Sequence, residues 1–528
     1  MSRSTPRPDD PPAAELRLGV DVGGTNTDAV IVDPAGQVLA SAKSPTTADV
    51  TTGVGHVIRS VLSDSGLAPG AIGYAMLGTT HCTNAIVTRR GLDRVGVIRL
   101  GAPATLAIEP LLTWPTELRQ AVCASRAIVR GGHEYDGEPL AGLDAGELRA
   151  VLRDMRDAVA AVAISGVFAP VNPAHEHAAR DIVHEVLGED VAVSLSSQIG
   201  SLSLLERENA TVLNAALIGV ARTAIDGFAR AVQDCGISAR LFLGQNDGSL
   251  MSLDYALQHP IFTVASGPAN SIRGAAALSR LDEALVIDIG GTTTDIGMLH
   301  RGFPRESALA VEIGGVRTNF RMPDLVSIGL GGGSRVYSDD GCRVGPDSVG
   351  YRLTQDALAF GGGQLTATDL AVAAGRARLG DPGLLDSLPT SVVEAGLAHI
   401  AQRLEDTLDR VKLSAAPVPV VAVGGGSLLL PDRLQGASRI IRPPHAEVAN
   451  AIGVAIAQVS GTVDQVFSLD GLSRAEALER ASQGASERAV AAGAKPDSIE
   501  IIDREEIPLA YLPGNAVRLK VKAVGQLA

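Results

Sequence analysis

Val20–Asp33 reads VDVGGTNTDAVIVD, and Val286–Leu299 reads VIDIGGTTTDIGML. Both pass from apolar residues into D-x-G-G-T-x-T-D and back to apolar residues. In the first copy LRLGVDV precedes the glycines, DAVIVD follows, and Pro34-Ala35-Gly36 leads into QVLASAKS. In the second, EALVIDI precedes, DIGMLHR follows, and Gly302-Phe303-Pro304 closes the unit. Strand, glycine turn, strand, turn, strand predicts an antiparallel meander, and it occurs twice at domain-scale separation. A hairpin needs only a glycine or two, so the aspartates flanking each turn ask for a chemical reason.

Phosphate binding supplies one. Glycine removes the Cβ that would hold a phosphate away from backbone N–H groups, and consecutive N–H groups in a tight turn form an anion nest. Gly23, Gly24, Thr25, Asn26 and Thr27 in the first copy are therefore expected to bind a nucleotide's phosphates. Gly290, Gly291, Thr292, Thr293 and Thr294 are expected to do so in the second. A strand-end aspartate cannot touch phosphate directly, since both are anions, but it can face a hydrated Mg2+ that bridges them. Asp21 and Asp288 are thus the expected metal-side carboxylates. Asp28 and Asp295 are the expected catalytic pair, orienting turn hydroxyls or acting as a base. A third turn, Gly424, Gly425, Gly426 and Ser427, ends the apolar run from Val420 and suits close approach of an adenosine. The implied cofactors are ATP and Mg2+. A Walker-type site is excluded, because none of Lys43, Lys412, Lys495, Lys520 and Lys522 follows a glycine.

Composition narrows the class. The chain has 528 residues, 45% of them hydrophobic, with a formal net charge of −14. An acidic chain without basic runs is poorly suited to nucleic acid, and 3% aromatic residues offer few stacking surfaces for single strands. Cys82, Cys123, Cys235 and Cys342 are widely separated and form no C-x-x-C pair. That pattern predicts neither a zinc site nor a disulfide framework and fits a cytoplasmic setting. No uninterrupted apolar run is long enough for a membrane span. Residues 1–15, rich in Pro and charge and without a signal peptide's apolar middle, are expected to be a disordered tail.

Between and after the meanders, apolar strands alternate with helical periodicity, which predicts α/β layers. A single long helix is expected over Glu206–Val232, and another over Ala446–Val459. The expected division is an N-terminal domain at 16–200, a second domain at 201–460 with an inserted glycine-rich substrate segment, and a small α+β element at 461–528. That last element is expected to hold a charged helix over Ser473–Ala492 and three short strands near Ile499, Ile507 and Val517.

Two D-x-G-G-T turns followed by a C-terminal glycine turn resemble the actin, sugar-kinase and acetate-kinase superfamily. The resemblance implies a duplicated ribonuclease-H-like α/β fold, with actin-like ATPase domains around a nucleotide cleft. The finer resemblance is to the A-type, ATP-binding subunits of the hydantoinase/oxoprolinase family. It is carried by LGTTHCTNAIVTRRG (Leu77–Gly91), VFAPVNPAHE (Val167–Glu176), LLERENATVLNAAL (Leu204–Leu217) and TVASGPANSIRGAAAL, in the family's order from Leu18 to about Ala457. Two departures stand out. Asn270-Ser271 follow S-G-P-A where the family usually carries Gly-Gly, and YRLTQDALAFGGGQLTATDL replaces its usual continuation after Gly350.

The resemblance implies ATP-dependent ring opening of a cyclic amide such as a hydantoin or lactam. Phosphorylating the carbonyl oxygen turns a poor electrophile into one that water can attack. It also implies a second hydrolase subunit; a homodimer is the general expectation for soluble chains. The substrate is expected near Thr79, Thr80, His81, Thr83, Asn84 and Arg89, and near the glycine turn Gly331, Gly332 and Gly333. Cys82 lacks an identifiable base partner, and His175 and His177 fall on different helix faces, which argues against a shared metal. Competing readings are the ATP subunit of a ketone carboxylase, a small-molecule kinase, and a nucleotide-switched activator of another enzyme.

Overall fold

The structure, a computed structural model, describes residues 16–47, 50–307, 311–320, 322–338, 342–510 and 515–528. The expected tail at 1–15 lies outside the described residues.

Both meanders form where the sequence places them. Leu16–Val22, Asn26–Val32 and Val38–Pro45 pair antiparallel in succession, and Leu16–Val22 then pairs parallel with Ile72–Thr79, which pairs parallel with Arg240–Gly244. The second sheet repeats that order. Thr294–His300 lies antiparallel to Ala284–Ile289, which continues parallel to Val418–Val423 and then Ala437–Ile441. Its third meander strand is split, with Phe303–Pro304 and Leu325–Ile328 both pairing Thr294–His300. Two sheets with the strand order three-two-one-four-five make this a duplicated ribonuclease-H-like, actin-like α/β fold.

The sheets do not divide at 200 or 460. A four-stranded parallel sheet (Val95–Ala102, Cys123–Arg130, Ala161–Gly166 and Ala192–Leu195) lies between the fourth and fifth strands of the first sheet in sequence. After the second domain the chain returns to the first. Val459–Phe467 pairs with Leu250–Ser252 and with Val517–Gly525, which in turn pairs Glu500–Pro508, completing nine strands. The C-terminal residues thus extend the edge of the first sheet. The expected strands near Ile499 and Ile507 are one nine-residue strand, and the Arg474–Ala491 helix packs its alanine stripe onto this extension.

The long helix expected over Glu206–Val232 is two helices, Leu204–Ala216 and Ile218–Asp234, bent by 46°. Asp93 explains the break: its backbone N–H takes the Ala216 carbonyl, and its carboxylate accepts from Gly219 N at 2.7 Å, capping the new helix. Leu204–Ala216 buries charge unusually well. Glu208 pairs with Arg99 at 2.7 Å, and Arg207 donates to Ser196 and to the Ser201, Leu202 and Gly166 carbonyls. Among the described residues, no single helix is long and apolar enough to cross a membrane.

Two helices join the domains. Ser266–Ser279 packs Ile272 and Ala275 onto Val286, Leu299, Val421 and Val423 of the second sheet. Ala449–Ile456 packs Ala451, Ile452 and Ala455 onto Val30 and Val32 of the first. They cross with backbones in contact: a Cβ on Gly453 would stand 1.9 Å from the Asn270 carbonyl, and one on Gly274 would stand 2.0 Å from the Ala449 carbonyl. Only glycine permits that approach, so any larger residue at either position forces the two sheets apart.

Candidate active site

The two glycine turns meet. A Cβ on Gly291 would lie 3.4 Å from the Thr25 side chain. Each turn closes with the same hydrogen bond, Gly23 N to the Asn26 carbonyl at 3.0 Å and Gly290 N to the Thr293 carbonyl at 2.9 Å. Each is also tied down from behind through its carbonyls. Thr46 donates its hydroxyl to Gly23 O at 2.8 Å and its N–H to Thr25 O at 3.0 Å. Gly332 N and Gly333 N donate to Gly290 O and Gly291 O at 3.0 and 2.7 Å. Carbonyls held in this way do not face an incoming anion, which leaves the cleft to donors.

The third turn joins them. Gly426 N donates to Ile289 O at 2.7 Å, and a Cβ on Gly424 would stand 2.2 Å from Asp288 Oδ1. Gly424 also needs its φ of +84°, so two constraints select glycine there. Gly24 and Gly425 are different: a Cβ on either would meet no protein atom within 4 Å. Both face open space, and Ser427 begins the short turn behind Gly425.

Strand register places the carboxylates. Asp21 lies opposite Asp28, and Asp288 opposite Asp295. Like charges directly across a ladder are unfavourable. Burial, with Asp28 and Asp288 beside it, raises the Asp21 carboxyl to about 7. Burial with Asp288 nearby raises Asp295 to about 6, and burial also raises Asp28 and Asp288. One cation answers: Lys43 Nζ lies 2.7 Å from Asp28 Oδ1. Asp295 instead faces the Ser327 hydroxyl, which partly offsets its upward shift.

These residues fit a divalent cation. Asp21 Oδ1 is buried with no well-aligned hydrogen bond, beside the Asn270 amide, its other oxygen accepts from Asn450 Nδ2 at 3.1 Å, and the donors are hard carboxylate oxygens. Among the described residues, no three His, Cys, Asp or Glu side chains gather into a ready metal cage. Mg2+ held through phosphate oxygens needs only one or two protein carboxylates and keeps its waters.

The residues expected to meet substrate divide. Thr79 ends the strand beside Asp21, Val22 pairing Thr79 in register. Thr80 donates to the Val22 carbonyl at 3.3 Å and also accepts from Asn84 Nδ2, so Thr79, Thr80, His81 and Asn84 gather at the start of the His81–Thr88 helix beside the first turn. His81 bonds the Thr79 hydroxyl, and burial lowers its pKa. Thr83 accepts from Ala265 N and so ties this helix to the start of the interdomain helix.

Arg89 is elsewhere: it ends the helix in a left-handed conformation and pairs with Glu117 on the surface. Gly331, Gly332 and Gly333 are buried against the back of the second turn, where a Cβ on Gly331 would stand 2.6 Å from Gly291 C. They brace that turn: Gly332 and Gly333 spend their N–H groups on its carbonyls, and Gly331 spends its own on the Ser334 hydroxyl. Cys82 is buried and its thiol is pushed up to about 11, so it is no nucleophile. His175 stacks on His133 while His177 is exposed, as the helix spacing requires.

Sequence reasoning missed Lys43, Thr46, Ser327 and Asn450 as site residues. Lys43 had a signal, since counting back across the Pro34-Ala35-Gly36 turn sets it opposite Asp28. The departure Asn270-Ser271 also lands here, with the Ser271 hydroxyl 2.5 Å from Asp288 Oδ2.

The fold and the paired turns define an actin-like ATPase class of α/β protein. Two family profiles match the chain, the hydantoinase/oxoprolinase N-terminal region over residues 17–187 and hydantoinase/oxoprolinase over 207–411. The chain belongs to the hydantoinase/oxoprolinase family. It is 26% identical over 486 residues to the caprolactamase subunit alpha of Pseudomonas jessenii, covering 86% of this chain and 67% of that one. It is 26% identical over 391 residues to the acetophenone carboxylase gamma subunit of Aromatoleum aromaticum, covering 68% of this chain and 53% of that subunit. Among solved structures, the ATP-dependent caprolactamase of Pseudomonas jessenii superposes with a TM-score of 0.75 at 20% identity, covering 97% of this chain and 88% of that one. An acetone carboxylase chain superposes at 0.69 with 19% identity, covering the same 97% and 88%. The matched stretch thus spans about two thirds of the caprolactamase subunit and about half of the carboxylase subunit.

Proposed function

We propose that this chain is the ATP-binding subunit of an enzyme that phosphorylates a carbonyl oxygen, with a cyclic amide as its substrate. The observation that carries the reading is the meeting of Thr25 with Gly291, which turns two remote repeats into one cleft. In it the turn N–H groups hold the phosphates, and Gly24 and Gly425 leave the room they need. Bound Mg2+ supplies positive charge where phosphoryl transfer needs it. Asp21 and Asp288 face that charge. Asp295, raised to about 6, holds or releases a proton near neutrality, as a general base must. Lys43 offsets part of the upward push that burial gives Asp28, so the pair places one positive charge beside the first turn. The Thr79–Asn84 donors at a helix start suit the carbonyl of the acceptor.

A ketone in place of the lactam is the second reading, and the carboxylase relatives favour it equally. Both substrates present a carbonyl oxygen to the same phosphoryl group. The caprolactamase and carboxylase relatives are named as subunits, which supports a second subunit here.

The test is ATP turnover with lactams, hydantoins and ketones, with and without the product of a neighbouring gene. ADP release stimulated by a lactam, without a stable phosphorylated product, supports the amidase reading. Stimulation by ketones alone moves the assignment to a carboxylase subunit. A stable phosphorylated product identifies a kinase and overturns both.

A further inference from the structure

The helix Ser266–Ser279 does more than join the domains. Its first turn lies against the first phosphate turn's neighbours: the Ser266 hydroxyl donates to Thr79 O at 3.2 Å, and a Cβ on Gly267 would lie 3.8 Å from Thr80 Cγ2. One turn later it presents two consecutive polar side chains, both fully buried. Ser271 reaches the second domain, donating its hydroxyl to Asp288 Oδ2 at 2.5 Å. Asn270 reaches the first. A Cβ on Gly78 would stand 2.3 Å from Asp21 Oδ1 and 2.6 Å from Asn270 Nδ2, so the two side chains share the space that glycine vacates.

Asn270 Nδ2 and Asp21 Oδ1 adjoin without a well-aligned hydrogen bond, close enough for the amide to lower the Asp21 pKa, and Asn270 Oδ1 has no partner among the described residues. A fully buried carboxamide whose oxygen has no donor to accept from is costly. Leucine would fill the space without that cost. A carboxamide is useful where something polar enters, such as a water held by a cation, which needs both an acceptor for its hydrogens and a neighbouring carboxylate. The side chain cannot move away. Gly244 and Gly453 back it closely, with a Cβ on Gly244 standing 3.2 Å from Asn270 Nδ2 and one on Gly453 touching its carbonyl.

We propose that Asn270 and Ser271 are positioning residues that hold Asp21 and Asp288, from opposite domains, at a fixed separation around one hydrated divalent cation. This rests on the nucleotide reading above. Adjacent positions on a helix point in directions about 100° apart, so one rigid element serves both carboxylates. Ser271 fixes the orientation of Asp288 through its hydroxyl. Asn270 receives a water of the cation beside Asp21. Since the helix crosses its partner backbone to backbone at Gly274 and Gly453, the separation is set by contact and not by flexible side chains.

The test uses the full chain with Mn2+ as the probe cation. Its affinity is measured by electron paramagnetic resonance in the presence of ADP, and ADP affinity without metal by calorimetry. For Asn270→Ala and Ser271→Ala the expected result is Mn2+ binding weaker by about tenfold or more, the usual cost of losing an outer-shell partner. Metal-free ADP affinity should stay within about twofold, a split that simple loss of packing would not produce. Ser271→Thr, which keeps the hydroxyl, should restore Mn2+ affinity, and it also serves if the alanine variant fails to fold. Mn2+ affinity unchanged in both alanine variants, with wild type binding ADP normally, overturns this proposal alone. Wild type that binds no adenine nucleotide with or without metal overturns the nucleotide reading and this proposal together.

Discussion

The two glycine turns are near-copies in backbone and differ in what faces their second aspartate. Both close with the same N–H to carbonyl bond, and both set two aspartates opposite one another across a ladder. In the first, the neighbouring strand brings Lys43 to Asp28 at 2.7 Å. In the second, the equivalent edge is filled by Leu325–Ile328, which brings Ser327 to Asp295. Burial raises both carboxyls; a cation offsets part of that rise at Asp28, and a neutral hydroxyl offsets part of it at Asp295, which stands at about 6. The two copies thus share the turn geometry and differ in the partner that the third strand of each meander brings to the second aspartate.

The largest effect separates the metal-side pair from the rest. Asp288→Asn should lower turnover by about a thousandfold or more while the fold is retained, since it removes charge from the cation's site. Steady-state kinetics at saturating Mg2+ measure this, and near-normal turnover would show the metal role to be misassigned. Asp21→Asn should be equally inactive yet more stable without ligand. Its carboxyl titrates at about 7 in the folded chain against 3.8 in the reference state. The folded state therefore holds a proton that the unfolded chain releases. Stability is full below about 4 and is lost as pH rises toward 7. The asparagine variant escapes that loss, so thermal melts at pH 8 should favour it, and a melt below wild type there would contradict the assignment.

Next comes the contrast between the second aspartates. Asp295→Asn should lower kcat about a hundredfold and abolish the acid limb of the pH–rate profile near 6. Lys43→Met should cost less, about tenfold, and leave that limb in place, because Lys43 faces Asp28. If the Lys43 variant displaced the limb and the Asp295 variant kept it, the division of roles would be reversed. The smallest change is Ser327→Ala. Removing a hydroxyl that lowers the Asp295 pKa should move the limb to higher pH, and no movement would show that Ser327 has no part in setting it.

The turns were legible because their chemistry is contiguous: glycines, hydroxyls and both aspartates of each copy lie within eight residues. Even the opposition of Asp21 and Asp28 follows from a short hairpin. What joins the copies was not legible. Ser327 arrives after an excursion of some 30 residues, and Gly331–Gly333 look like a binding loop until the N–H groups of Gly332 and Gly333 are seen spent on the second turn. The break at Leu217 depends on Asp93, over 100 residues earlier in the chain. The return of Val459–Gly525 to the first sheet depends on a free strand edge that no local pattern encodes. Long-range pairing of this kind carries little sequence signal.

Gly24 offers the most direct test of the claim that these turns hold phosphate. An alanine there meets no protein atom within 4 Å and requires no left-handed backbone. The substitution should leave the thermal melt unchanged, so a binding defect would report what enters the space. Calorimetric titration of Gly24→Ala with Mg2+ and ADP, beside wild type, is the measurement. The account predicts affinity weaker by about tenfold or more, from a methyl group standing where phosphate must approach. Wild-type affinity in the alanine variant would place the nucleotide elsewhere and contradict the paired-turn site.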